Sequence, residues 1–200
     1  MAFIEKELDT LREIVHSCKK CPLHEKRRHA VFGDGNPYAE ILLIGEGPGQ
    51  EEDRQGLPFV GKSGQMLDKI LEACGFQRQE HVFIANIVKC RPPNNREPKP
   101  EEREACLPYL MKQIDLIRPK IIILLGSTAL KGLIDPNGKI TRVRGTWMDW
   151  KGYLVMPTYH PSALLRNPAL KKEAWKDFKK VYYKYRELVD PSHHSAHIAG

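Results

Sequence analysis

Two sets of residues in this chain combine side-chain type and spacing in ways that could support chemistry. The first is a frame of four cysteines. Cys18 and Cys21 stand in a C-K-K-C-P run, and Cys90 and Cys106 are separated by fifteen residues of proline-rich, basic sequence. A CxxC brings two thiolates to one metal centre, and a distant pair can complete a four-sulfur site. The second set follows apolar runs: Glu46 in G-E-G-P-G, Asn86 in A-N-I-V-K-C, His160 in T-Y-H-P-S, and Phe59 in the glycine-bounded loop G-L-P-F-V-G. A carboxylate, a carboxamide, an imidazole and one aromatic ring suit a small planar or anionic group.

Each set has a plainer reading. Cysteines are often buried as small hydrophobes, and a histidine at a strand end is as often a structural hydrogen-bonder as a catalyst. Disulfides fit poorly, because residues 1–20 are polar and look helical with no secretory h-region, and five cysteines cannot all pair. A reducing compartment and a bound metal are the expectation. Zinc sites usually pair two short knuckles. The wide spacing of Cys90 and Cys106 and the Pro22 after Cys21 therefore favour a [4Fe–4S] cluster, with zinc as the alternative. Cys74 has no such partner and falls on the apolar face of a helix.

These residues must be positioned by an α/β frame. Apolar runs at residues 40–45, 81–88, 120–126 and 152–158 read as buried strands. Helical spacing marks 63–75, 100–117 and 170–188, with a short helix after the third strand. Such alternation predicts one domain over 1–190, with a central four-stranded parallel sheet covered by helices on both faces. Ligands of such sheets bind beyond the carboxyl ends of the strands, which is where Glu46, Asn86 and His160 fall. Residues 191–200 read as a disordered tail. A dinucleotide loop at 45–49 is a weak match, because Pro48 interrupts it and the third-glycine spacing fails.

Composition narrows the setting. With 41% hydrophobic residues and no run of transmembrane length, the expectation is a chain without a membrane partner. A net charge of +7 favours a polyanionic partner such as nucleic acid. Basic residues cluster at 19–29 and at 171–186. In the second cluster Trp175, Phe178, Tyr182 and Tyr185 read as the core face of a helix whose lysines are solvated.

Taken in register, G-E-G-P-G-Q-E-E-D (45–53), G-L-P-F-V-G-K-S-G (56–64), N-I-V-K-C-R-P-P-N-N-R (86–96), H-P-S-A-L-L-R-N-P (160–168) and the cysteine frame resemble the family 4 uracil-DNA glycosylases. This is the iron–sulfur type of thermophilic archaea and bacteria, and the resemblance spans nearly the whole chain. It implies the α/β/α sandwich of uracil-DNA glycosylases. It also implies a hydrolase of base excision repair that flips deoxyuridine out of DNA, releases uracil and leaves an abasic site.

The resemblance also implies roles. His160 would donate to O2 of the departing uracil, Asn86 would read O4 and N3–H, and Phe59 would stack on the ring. The backbone at Glu46 and Gly47 would contact uracil and the attacking water. Leu164, Leu165 and Arg166 would form a wedge into DNA. Cys18, Cys21, Cys90 and Cys106 would hold a structural [4Fe–4S] cluster. One departure stands out: Gly47 occupies the place of an aspartate in the best-known uracil glycosylases, so Glu46 is the nearest carboxylate for water, with Glu52 and Asp53 behind it. Two other readings are a relative that traps uracil-DNA covalently through a loop histidine and a non-enzymatic iron–sulfur DNA-binding module. The corresponding loop here, R-P-P-N-N-R-E-P, has no histidine, so turnover is expected. Expected partners are uracil-containing DNA, single- or double-stranded, and a sliding clamp is left open with no peptide motif found for it. A monomer in the cytoplasm, at the nucleoid, completes the reading.

Overall fold

A computed structural model describes residues 2–199. Helix α1 (Phe3–His16) is followed by the two-residue strand β1 (Asp34–Gly35) and by β2 (Ile41–Gly45). Then come α2 (Gln50–Gln55), α3 (Lys62–Ala73), α4 (Arg78–His81) and β3 (Val82–Asn86). The next elements are α5 (Pro100–Ile117), β4 (Ile121–Leu125), α6 (Ser127–Leu133) and α7 (Ile140–Val143). Strands β5 (Met148–Trp150) and β6 (Tyr153–Thr158) and helices α8 (Pro161–Arg166) and α9 (Lys171–Leu188) complete the chain.

The strands form one sheet in the order β1-β3-β2-β4-β6-β5. The four central strands are parallel, as their uninterrupted apolar sequence requires when both faces are covered. The expected four-stranded sheet is therefore extended to six, because β1 and β5 add antiparallel edges. Strands this short carry no readable periodicity. Along β2 and β4, Leu42, Ile44, Ile122 and Leu124 face the cluster built with α1 and α5, while Ile41, Leu43, Ile121 and Ile123 face the cluster built with α3 and α9. Phe178, Tyr182 and Tyr185 lie buried in the second cluster, on the core face of α9. Cys74 lies there too, and burial pushes its thiol up to about 12, which makes it a core residue without reactive character.

Residues 191–199 depart from the expected disordered tail. Ser195 Oγ donates to the Ala73 carbonyl at 2.6 Å, and His193 Nε2 lies 2.9 Å from the Cys74 carbonyl. The His193 ring stacks on Phe76 with centroids 4.6 Å apart, and Ile198 is buried. The composition reads as polar and small, but its serine and histidine satisfy the otherwise open carbonyls at the end of α3. Residue 200 lies outside the described residues.

Candidate functional site

The carboxyl ends of the parallel strands open into a pocket of about 700 Å³ whose walls include Glu46, Gly47, Phe59, Thr128, Tyr159, His160 and Arg166. Backbone room at two glycines makes it possible. A Cβ at Gly45 would fall 2.6 Å from Asn86 Oδ1 and 2.7 Å from the Phe59 ring. Bare backbone there lets the carboxamide and the ring approach each other. Gly126 has φ +94°, and a Cβ on it would lie 2.8 Å from His160 Cβ, so only glycine ends β4 beside the imidazole. The Phe59 and His160 rings stand 5.5 Å apart at 32°. Glu46, Phe59 and His160, read from separate motifs, thus line one pocket, whereas Asn86 is not among its walls and lies buried next to Gly45 on the Phe59 side.

Their electrostatics differ. His160 caps α8: its Nδ1 accepts from the Ser162 N–H at 3.0 Å and lies 2.8 Å from Ser162 Oγ. A backbone N–H can only donate, so Nδ1 is the acceptor and the proton of the neutral ring sits on Nε2. Burial, with the Arg166 charge adding to it, pulls the His160 pKa down to about 4. The ring is therefore uncharged at neutral pH. Burial pushes the Glu46 carboxyl above its ordinary range, against a hydrogen bond of 2.6 Å donated by Thr128 Oγ1. Asn86 is 2% exposed, and its Oδ1 is buried without a protein partner. Such an acceptor is costly to leave empty.

The surrounding residues fix these groups in place. Glu52 accepts from Gly49 N at 3.1 Å and from Val60 N and Gly61 N at 3.0 Å, clamping the two glycine-rich loops together. Asp53 accepts from Arg28 N at 2.8 Å. Both carboxylates serve backbone amides, which removes them as candidates for orienting water. Phe59 has φ +51°, a conformation that costs about 1 kcal/mol or more in a bulky residue. Arg78 holds it there by donating to the Pro58 carbonyl at 3.0 Å and to the Phe59 carbonyl, while pairing with Asp68. Glu52, Arg78, Thr128 and Ser162 gave no sequence signal for these roles, because each acts on a residue through contacts visible only after folding.

The expected wedge is corrected in part. Leu164 is 1% exposed and turned into the core, because position 164 lies on the inner side of α8. Leu165 is 41% exposed, and Arg166 is exposed, with a weak contact of 3.4 Å to Ser162 Oγ. Only these last two can meet a partner.

On the other side of β3, Cys18, Cys21, Cys90 and Cys106 line a second, apolar cavity with Val15, Leu23, Val88 and Tyr109. The Lys89 backbone N–H points at Cys106 Sγ, 3.3 Å away, and Arg27 Nη1 approaches Cys90 Sγ at 3.4 Å. Arg27 also donates to the Cys18 carbonyl at 2.6 Å, bridging both halves of the frame. Among the described residues, no group of three or more His, Cys, Asp or Glu side chains closes up as a site for one metal ion. The thiols instead stand around a shared space.

A mixed α/β sheet with a pocket at the carboxyl ends of its parallel strands and a thiol-lined cavity near β3 defines a class of α/β ligand-binding proteins. Within that class, the chain belongs to the Uracil DNA glycosylase superfamily, which matches residues 32–179. It is 49% identical over 191 residues to the Type-4 uracil-DNA glycosylase of Sulfurisphaera tokodaii, covering 91% of this chain and 84% of that protein. It is 48% identical to the Type-4 uracil-DNA glycosylase of Thermotoga maritima, covering 82% of this chain and 85% of the relative. A Type-5 uracil-DNA glycosylase of Pyrobaculum aerophilum is more distant, at 30% identity over 66% of this chain and 65% of its own length. No described helix is long and apolar enough to cross a membrane.

Proposed function

We propose that this chain is a uracil-DNA glycosylase that hydrolyses the N-glycosidic bond of deoxyuridine in DNA. The observation that carries this reading is the buried, unpartnered Asn86 Oδ1 next to Gly45 and the Phe59 ring, whose other neighbour is the neutral His160. Uracil offers an N3–H donor next to an O4 acceptor, which a carboxamide meets with one Oδ1 acceptor and one Nδ2 donor. Cytosine presents the reverse pattern and would leave both partners unsatisfied. A base inside a duplex cannot reach such a site, so the nucleotide is turned out of the stack. The exposed Leu165 and Arg166 are placed to fill the gap and to meet a phosphate.

In the reaction the C1′–N1 bond breaks and its electron pair leaves with uracil, with charge accumulating on O2. The Nε2–H of His160 donates to that oxygen without giving up its proton. A neutral imidazole suits this role because its proton is held firmly and the site need not bury a cation. Water adds to C1′, and its proton passes to Glu46. Thr128 holds one oxygen of that carboxylate, leaving the other for the water. Gly47 has no side chain to share the task, and a Cβ there would lie 2.7 Å from Val88 Cγ2.

The cysteine cavity fits a [4Fe–4S] cluster on two grounds. Four thiols surround one apolar space, and N–H donors from Lys89 and Arg27 approach two of the sulfurs, as they do for cluster thiolates. Cys18, Cys21, Cys90 and Cys106 would hold it, and its contribution would be a cross-link between the region after α1 and the start of α5.

The test is to incubate the protein with a uracil-containing oligonucleotide and then treat with alkali. Cleavage at the uracil position supports the reading. DNA binding with no cleavage would favour a non-enzymatic iron–sulfur module, and an adduct surviving denaturation would favour covalent trapping. Iron and sulfide assayed per chain separate a cluster from zinc.

A further inference from the structure

Lys89 buries a charged amine at 1% exposure, and nothing in the reaction above uses it. Its Nζ donates to Gln113 Oε1 at 2.6 Å and to the Asn86 backbone carbonyl at 3.1 Å, two neutral oxygens. Cys106 and Cys90 bring charge near it but no hydrogen bond to Nζ, and burying an ammonium costs more than burying a hydrocarbon of the same shape. Its position within the fold therefore calls for a reason.

That reason lies at the end of β3. Ile87 N donates to the Gly45 carbonyl at 2.9 Å and Val88 N to the Glu46 carbonyl at 3.1 Å. Within β3 residues two apart share a side, and Val82 O accepts from Asn36 N at 2.9 Å on the β1 side, so the Asn86 carbonyl faces that side too. There β1 pairs only with Phe83 and Ile84, and no strand reaches Asn86. The Lys89 side chain folds back three residues and supplies the missing donor. Gln113, wholly buried on α5, fixes the ammonium and is itself fixed by donating to the Phe32 carbonyl at 2.8 Å. The Asn86 peptide is thus gripped on both sides, by the pocket loop and by Lys89.

We infer that Lys89 is a positioning residue for base recognition: clamped by Gln113, it holds the Asn86 peptide so that the carboxamide meets the base edge in one orientation. This rests on the proposal that Asn86 reads uracil. It also gives α5, which carries Cys106, a mechanical link to the pocket, because the Lys89 N–H contacts Cys106 Sγ.

Lys89→Met keeps an unbranched apolar stem, one atom shorter, and removes the donor. Gln113→Met keeps Lys89 and removes its clamp, which preserves the test if the first variant folds poorly. For each variant, kcat/KM on uracil-containing DNA, the affinity for free uracil, the iron content per chain and the Tm are measured. Lys89→Met is expected to lower kcat/KM and free-uracil affinity together by about 10-fold. Gln113→Met should lower both by less, with iron content unchanged in each. The inference is overturned if both quantities, per iron-loaded chain, stay within about twofold of the parent while only Tm falls. It is equally overturned if the losses simply track lost iron. Failure of the unaltered protein to release uracil would instead remove the underlying reading of Asn86.

Discussion

Strand β3 feeds two sites with opposite character. Asn86 ends it beside Phe59, a wall of the pocket, and the segment that follows carries Cys90 into the cysteine cavity. Around the cysteines the walls are apolar and the identified N–H donors already point at sulfur. At the pocket a carboxyl is raised above its ordinary range and an imidazole is held neutral, and behind its Phe59 wall a buried acceptor on Asn86 lacks a partner. On the proposed reading, one site closes around a permanent occupant. The other is left incomplete so that a passing ligand completes it. The difference separates structure from chemistry: removing a group from the first should cost integrity, and removing one from the second should cost rate.

The largest expected effect is at His160. His160→Ala should lower kcat by ~10²–10³ while lowering Tm by only a few °C for the lost α8 cap, as read in single-turnover assays and thermal melts. A much larger fall in Tm would erase the distinction between the two sites. Next is Glu46→Gln, expected to lose about 10²-fold. Its pH profile sharpens the point. The Glu46 carboxyl is raised by burial, so its base form is lost at a higher pH than an ordinary carboxylate's, whereas His160 stays neutral down to about 4. The acid limb therefore belongs to Glu46 and should vanish in the variant; a persisting limb would reassign it. Cys90→Ala tests the opposite side. Iron should be lost and Tm should drop by ~10 °C, but molecules that retain metal should react at the parental rate. The smallest effect is at Thr128→Val, which removes one hydrogen bond to Glu46. A several-fold loss of kcat is expected, together with an acid limb moved further up, since this bond favours the ionised form.

The legible and illegible residues divide along physical lines. The four central strands are readable because a strand buried on both faces has no polar positions. Glu46, Phe59, Asn86 and His160 are readable because each follows such a strand or sits between glycines. Cys18, Cys21, Cys90 and Cys106 are readable from chemistry alone. Lys89, Arg78, Thr128 and Glu52 are ordinary residues in sequence, and only the fold reveals which oxygen or amide each one meets. Leu164 and Leu165 show the limit most plainly. They are adjacent and identical in type, yet one is in the core and the other in solvent, a difference of helix phase that a six-residue helix does not signal. Ser195 and His193 were invisible for a related reason: their partners are carbonyls, which no sequence displays.

The two short edge strands carry a consequence for colloidal behaviour. Because β1 and β5 run antiparallel to their neighbours and span two and three residues, they cover part of the rims of β3 and β6 while offering little ladder of their own. A second molecule seeking to continue the sheet finds no long, straight rim to template on. On brief heating short of full unfolding, such a protein should remain dispersed, without fibrils seeded by edge-to-edge growth.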